Sequence, residues 1–234
     1  MHVYLDLDDT LIETQDVFEL YKNKCYQFIR SEATIELSKE KVFEYFNHRE
    51  LINMSIYGFS NNRFIISWSE TYRYFVPKGE KEKEVIALAE GVFYHHTPLI
   101  NGAEDVLSNL KEKDYRMSIV TAGQEDIQQR RIDEVGIRDY FDDIFVLPHK
   151  TKKTMKQVIR YRKPCVMIGN SIKTDINPSI QLGIPTIHVK AKNWFFEEEP
   201  VLKSSKLHFG ELADVPFLVD LIKEVTFGQT KKSR

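Results

Sequence analysis

The stretch "VYLDLDDTLIE", residues 3–13, decides how this chain is read. Val3, Leu5 and Leu7 alternate as in a strand headed into a core, while three carboxylates, Asp6, Asp8 and Asp9, stand at or beside its end. Repulsion and desolvation make such a cluster costly unless a cation or a shared proton relieves it. The stretch therefore predicts a buried strand that delivers acids to a site.

The rest of the composition sets the context. A chain of 234 residues with 42% hydrophobic content is long enough for a sizeable core, either one large domain or a core carrying an inserted smaller one. Its 33 Lys and Arg against 35 Asp and Glu leave a formal net charge of -2, so it lacks the overall basic footprint of a protein that grips a nucleic-acid polymer. A small ligand or a protein partner fits better. Cys25 and Cys165 form no C-x-x-C motif, and Cys165 lies in an apolar run, which implies a reducing, cytoplasmic compartment. No run approaches the ~20 apolar residues of a membrane helix, and acids appear within six positions of the start, contrary to a signal peptide. A soluble protein with no membrane partner is expected.

The pattern changes character twice along the chain. Residues 1–12 read as a strand and its exit. Residues 13–98 give helical stretches, "DVFELYKNKCYQFIR", "SKEKVFEYF", "RFIISWSETYRYFV" and "EKEVIALAEGVFYHH", with no convincing strand. From residue 99, short apolar runs alternate with amphipathic helices: "RMSIVT", then 124–135, "DIFVL", then 151–161, "CVMIGN", then 175–182, and "PTIHV". That alternation is the rhythm of βαβ units. Ala103, Val106, Leu107 and Leu110 share one helical face and predict a crossover helix before "RMSIVT". The expected fold is thus α/β, a Rossmann-like parallel sheet core of residues 1–12 and 99–225, interrupted by an all-α domain over 13–98. Residues 226–234, "TFGQTKKSR", have too little apolar content to fold alone and are expected to form a flexible tail.

In an open α/β sheet, ligands bind beyond the carboxyl ends of the strands, near the point where strand order reverses. Those ends carry Asp6-Leu7-Asp8-Asp9-Thr10, then Thr121-Ala122-Gly123, then Lys150, then Gly169-Asn170-Ser171 with Asp175 a turn beyond. Acids, a hydroxyl, a lysine and an amide with an acid suit phosphoryl transfer, which needs a nucleophile, a proton donor and positive charge on the transferring oxygens.

These residues resemble the haloacid dehalogenase-like (HAD) hydrolases. "DLDDT" is similar to the family's D-x-D-x-T motif, "SIVTAG" to its threonine-bearing second motif, "HKTKKT" to its lysine-bearing third and "VMIGNSIKTDINPSIQLGIPTIHV" to its fourth. Residues 13–98 resemble the family's helical cap of the first type, and "GQEDIQQRRIDEVGIRDYFDDIFV" resembles a subgroup close to the phosphatases. The resemblance implies a phosphomonoester hydrolase acting on a small-molecule phosphate ester. Asp6 would be the nucleophile that forms an aspartyl-phosphate, and Asp8 the acid and then the base. Thr121, Ala122 and Lys150 would hold the phosphate, with Lys150 also balancing the charge on Asp6. A Mg2+ ion would be held by Asp6, the Asp8 backbone carbonyl, Asn170 and Asp175.

One departure stands out: many relatives carry an acid where Asn170 stands, so a weaker hold on the metal is implied. A phosphomutase would use the same residues, and a binding protein that keeps the fold with weakened catalysis is a further alternative. A dehalogenase is disfavoured, because the family's dehalogenases lack the second aspartate that Asp8 supplies. Asp9 reads as an exposed or capping acid, Thr10 as a turn-fixing hydroxyl, and Lys152 and Lys153 as a solvated helix face. His95 and His96 read as structural, and His149 as a bystander to the lysine. Oligomeric state is left open, a monomer slightly preferred.

Overall fold

The computed structural model describes residues 1–159, 164–192, 194–197 and 199–227. It divides into two compact units: Met1–Glu13 together with the chain from Thr97 onward, and Thr14–His96.

The Thr14–His96 unit consists of α1 (Thr14–Glu32), α2 (Lys39–Tyr57), α3 (Asn61–Phe75) and α4 (Glu82–Tyr94), and the four helical stretches read from the sequence fall on them. Ser38 caps α2 by accepting the Lys41 N–H at 3.4 Å. Apolar residues at helical spacing meet in an aromatic core of Phe18, Phe46, Phe64, Trp68 and Phe93, with Phe46 stacked on Trp68 at 4.2 Å. Phe28 and Phe43 lie half-buried at its margin. An Arg63–Glu50 ion pair of 2.8 Å is buried in the same unit.

The other unit is built on a six-stranded, wholly parallel sheet: β1 (His2–Leu5), β2 (Arg116–Ala122), β3 (Asp143–Leu147), β4 (Cys165–Gly169), β5 (Thr186–Val189) and β6 (Leu207–Gly210). The order is β3-β2-β1-β4-β5-β6, so the chain works outward to one side of β1, then crosses to the other. This reversal places the switch point beside β1 and β4, where the register Leu5↔Ile168 makes the two strands end together. The helices are α5 (Ala103–Glu112), α6 (Glu125–Glu134), α7 (Lys152–Ile159), α8 (Asn177–Gln181) and α9 (Val215–Phe227). Val3 and Leu5 pack with Val106, Leu107 and Leu110 of α5 and with Val219 and Ile222 of α9, while Tyr4 packs with Met155 and Ile159 of α7. Both faces of β1 are thus covered, which is why His2–Leu5 is buried throughout.

Three features differ from the sequence reading. β6 and α9 extend the core beyond the five strands anticipated; β6 is four residues long and only partly buried, so it lacks the apolar run that marks the inner strands. The helix read at 175–182 is a π turn over Ile172–Ile176 followed by the short α8. Residues 160 and 161 of the helix expected at 151–161 lie outside the described residues, as do residues 228–234 of the expected tail; residues 226 and 227 end α9. No helix among the described residues is long and apolar enough to cross a membrane.

Candidate active site

Asp6 directly follows β1, held by its own N–H donating to the Ile168 carbonyl at 2.9 Å. Its Oδ1 receives the Lys150 ammonium at 2.5 Å, and the same ammonium lies 2.5 Å from Asp175 Oδ1. All three side chains are buried, Asp175 completely. Lys150 therefore joins the end of the loop after β3 to the ends of β1 and β4. By contrast Lys152 and Lys153 are exposed, as the sequence predicts.

Thr10 connects the first and fourth motifs. Its hydroxyl lies 3.0 Å from Asn170 Oδ1 and 3.3 Å from Asp6 Oδ2, and it accepts the Asn170 N–H at 3.1 Å. Asp175 Oδ2 accepts the Ser171 N–H at 3.0 Å, which folds the carboxylate back over β4. Only glycine admits it there, because a Cβ on Gly169 would lie 2.4 Å from Asp175 Oδ2.

Asp8 belongs to a second cluster. Arg131 of α6 donates to its Oδ1 at 3.0 Å, and Gln128 donates to its Oδ2 at 2.6 Å. Thr121 contacts the same Oδ2 at 3.4 Å and accepts from Gln128 at 2.7 Å. The Ala122 carbonyl accepts from Gln128 at 3.4 Å. Gly123, at φ 147°, turns the chain from β2 into α6, and a Cβ there would press on the Gln128 side chain at 3.3 Å. Thr121 is fully buried, whereas the Asp8 side chain keeps 25% exposure.

The sequence reading of Asp9 needs correction. It is buried, adopts φ 57°, and its Oδ2 accepts the Trp194 indole N–H at 2.8 Å. The tight exit from β1 requires a left-handed residue, a conformation Asp tolerates, and this turns the carboxylate inward. Several other contributors were not anticipated, namely Gln128, Arg131, Trp194 and Glu197. A signal for two of them existed: Ile127, Gln128, Arg131 and Ile132 share the buried face of α6, so polar residues stood where apolar ones would be expected. His95 places its Nδ1 3.4 Å from the Tyr21 hydroxyl.

Electrostatically the centre holds more negative charge than Lys150 neutralises. Burial, reinforced by the Asp175 charge, pushes the Asp6 carboxyl up to about 7 despite Lys150. Burial likewise raises Asp175, with Lys150 opposing. For Lys150 burial disfavours the ammonium, but Asp175 and Asp6 outweigh it and hold the group above its ordinary value. Glu197 is also raised by burial, against a hydrogen bond from Ser171 and the attraction of Lys150.

The donor set suits a hard cation. The Asp6 and Asp175 carboxylates, the Asn170 amide oxygen and the Asp8 backbone carbonyl are all oxygen donors, and an additional positive charge would let both buried acids ionise. Among the described residues no trio of His, Cys, Asp and Glu side chains gathers for a metal, so a cation here would depend on amide and backbone oxygens beside two carboxylates.

Fold and site together define an α/β enzyme whose parallel sheet ends in a buried Asp–Lys–Asp centre. The chain belongs to the haloacid dehalogenase-like hydrolases, whose family model matches residues 3–189. It is similar to glyceraldehyde 3-phosphate phosphatase of Pyrococcus abyssi, 25% identical over 204 residues that cover 80% of each chain. It is also similar to N-acylneuraminate-9-phosphatase of Homo sapiens, 24% identical, covering 95% of this chain and 94% of the relative. A haloacid dehalogenase-like family hydrolase from Xanthomonas campestris shares the fold at a TM-score of 0.78 with 20% identity, over 100% of this chain and 94% of the other.

Proposed function

We propose that this chain is a magnesium-dependent phosphomonoester hydrolase that works through an aspartyl-phosphate on a small phosphorylated metabolite. The observation that carries this reading is the pairing of a buried Asp6, held by Lys150 at the end of the central strand, with an Asp8 carboxylate anchored beside Thr121. Both relatives named above are phosphatases, which supports the same chemistry.

Lys150 keeps the Asp6 oxygens oriented and balances their charge as Asp6 attacks phosphorus and the bond to the leaving oxygen breaks. Asp8 gives that oxygen its proton. It then takes a proton from the water that attacks the phosphorus of the aspartyl-phosphate, releasing phosphate and regenerating Asp6. Thr121, the Ala122 backbone and Lys150 hold phosphoryl oxygens. Bound at Asp6, the Asp8 carbonyl, Asn170 and Asp175, magnesium would neutralise the gathered negative charge. The Thr14–His96 unit, inserted in sequence between Glu13 and Thr97, is assigned the part of the substrate-selecting cap. The buried thiols of Cys25 and Cys165 suit a cytoplasmic setting.

Purified protein should release phosphate from an artificial aryl phosphate only when magnesium is present, and a panel of phosphorylated metabolites should then rank its substrates. A homogeneous preparation that releases no phosphate under any metal condition would sink the reading.

A further inference from the structure

Arg131 is an expensive residue to bury. Its side chain is 5% exposed, and one nitrogen, Nη1, reaches Asp8 Oδ1 at 3.0 Å and Gln128 Oε1 at 3.2 Å. Its Nε and Nη2 are buried without a hydrogen-bond partner among the described residues. A guanidinium so poorly compensated gives the fold little, and buried unsatisfied donors of this kind point to function.

Its contacts have a direction. An arginine only donates, so the Gln128 oxygen must face Arg131, and the Gln128 amide nitrogen is thereby turned to Asp8 Oδ2 at 2.6 Å and Thr121 at 2.7 Å. The opposite amide orientation would set donor against donor at Arg131 and acceptor against acceptor at Asp8. Each Asp8 oxygen thus receives a donor, and a charged one at Oδ1, an arrangement that fixes the direction of the Asp8 side chain.

We propose that Arg131 and Gln128 are positioning residues that hold the Asp8 side chain aimed at the water that attacks phosphorus, and so serve the second half of the reaction, hydrolysis of the aspartyl-phosphate. The inference rests on the two-step reading above. In that step the water O–H bond breaks, its proton goes to Asp8, its oxygen bonds to phosphorus, and the phosphorus–Asp6 oxygen bond breaks.

The test is Arg131→Met, which keeps the apolar stem and removes every donor. With magnesium and an aryl phosphate, whose leaving oxygen departs without a proton from Asp8, kcat should fall tenfold or more while kcat/KM stays within about twofold of the parent, because kcat/KM reports only steps up to the first irreversible one. Aryl alcohol should appear in a burst stoichiometric with enzyme, and mass spectrometry after acid quench should find a phosphoryl adduct on Asp6. Arg131→Lys should recover much of kcat. Gln128→Met should show the same burst, and it carries the test alone if Arg131→Met does not fold. Parent-like kcat, or an equal fall in kcat and kcat/KM without phosphoenzyme, overturns the inference and leaves the phosphatase reading standing. A parent protein with no phosphatase activity overturns both.

Discussion

The Asp175 carboxylate lies folded over the bare α-carbon of Gly169, so close that a Cβ there would sit 2.4 Å from Oδ2 and 2.7 Å from the Asp175 Cβ. Rotating the acid aside does not relieve the clash, since its own Cβ is implicated. Gly169→Ala should therefore lower stability by about 1–3 kcal/mol and displace Asp175 from Lys150. Urea unfolding and phosphate release measured together check this. A variant with parent-like midpoint and rate would show that β4 and the π turn can part without consequence.

Asp6→Asn should abolish turnover while leaving the fold intact, and it carries a stability signature. Burial, chiefly, pushes the carboxyl up to about 7 in the folded chain, above the usual carboxylate range. Because the folded value lies above the unfolded one, its stabilising contribution is complete below about pH 4 and is lost as pH climbs through 7. Metal-free Asp6→Asn should then melt higher than the parent at about pH 8, with Lys150 left paired one-to-one with Asp175, and hold no advantage at about pH 4. The reverse ordering in a calorimetric pH series would count against an overcharged centre.

Magnesium should raise the melting temperature more at about pH 8 than at about pH 5, since only the ionised Asp6 and Asp175 attract it. Asn170→Asp should tighten magnesium by about tenfold in isothermal titration, because Thr10 can still donate to Oδ1 while a full charge replaces a dipole. An unchanged affinity would place residue 170 outside the metal shell.

In the helical unit, Arg63→Met should cost about 3–5 kcal/mol by stranding the buried Glu50, whose carboxyl burial already raises. The double change Glu50→Met with Arg63→Met should recover most of it. Denaturant unfolding of the four proteins of the cycle decides this, and additive losses would mean that the two side chains do not act as a pair.

Much of the fold was legible because its signals are local. Alternation in Val3–Leu7, four apolar runs at even intervals and helical stripes such as Val106, Leu107 and Leu110 need only nearest-neighbour periodicity to be recognised. What escaped was either short or mixed in character. β6 spans four residues, three half-buried and Phe209 exposed, and α6 presents Gln128 and Arg131 on a face where apolar side chains are the rule. The residues expected at the strand ends do converge at Asp6, Lys150 and Asp175, while Asp9 turned inward against expectation.

By itself the sequence determined the class of fold, the order of its elements and the kinds of chemical group at each strand end, because these follow from the period of burial and from what a parallel sheet does with its carboxyl edges. Only the tertiary structure decided which groups touch. Lys150 reaches Asp6 across 144 positions of chain, Thr121 meets Asp8 across 113, and Trp194 meets Asp9 across 185. Such contacts are set by strand order and side-chain packing rather than by spacing. The division of the acids into an Asp6–Lys150–Asp175 centre and an Asp8–Gln128–Arg131 clamp is therefore a property of the folded sheet.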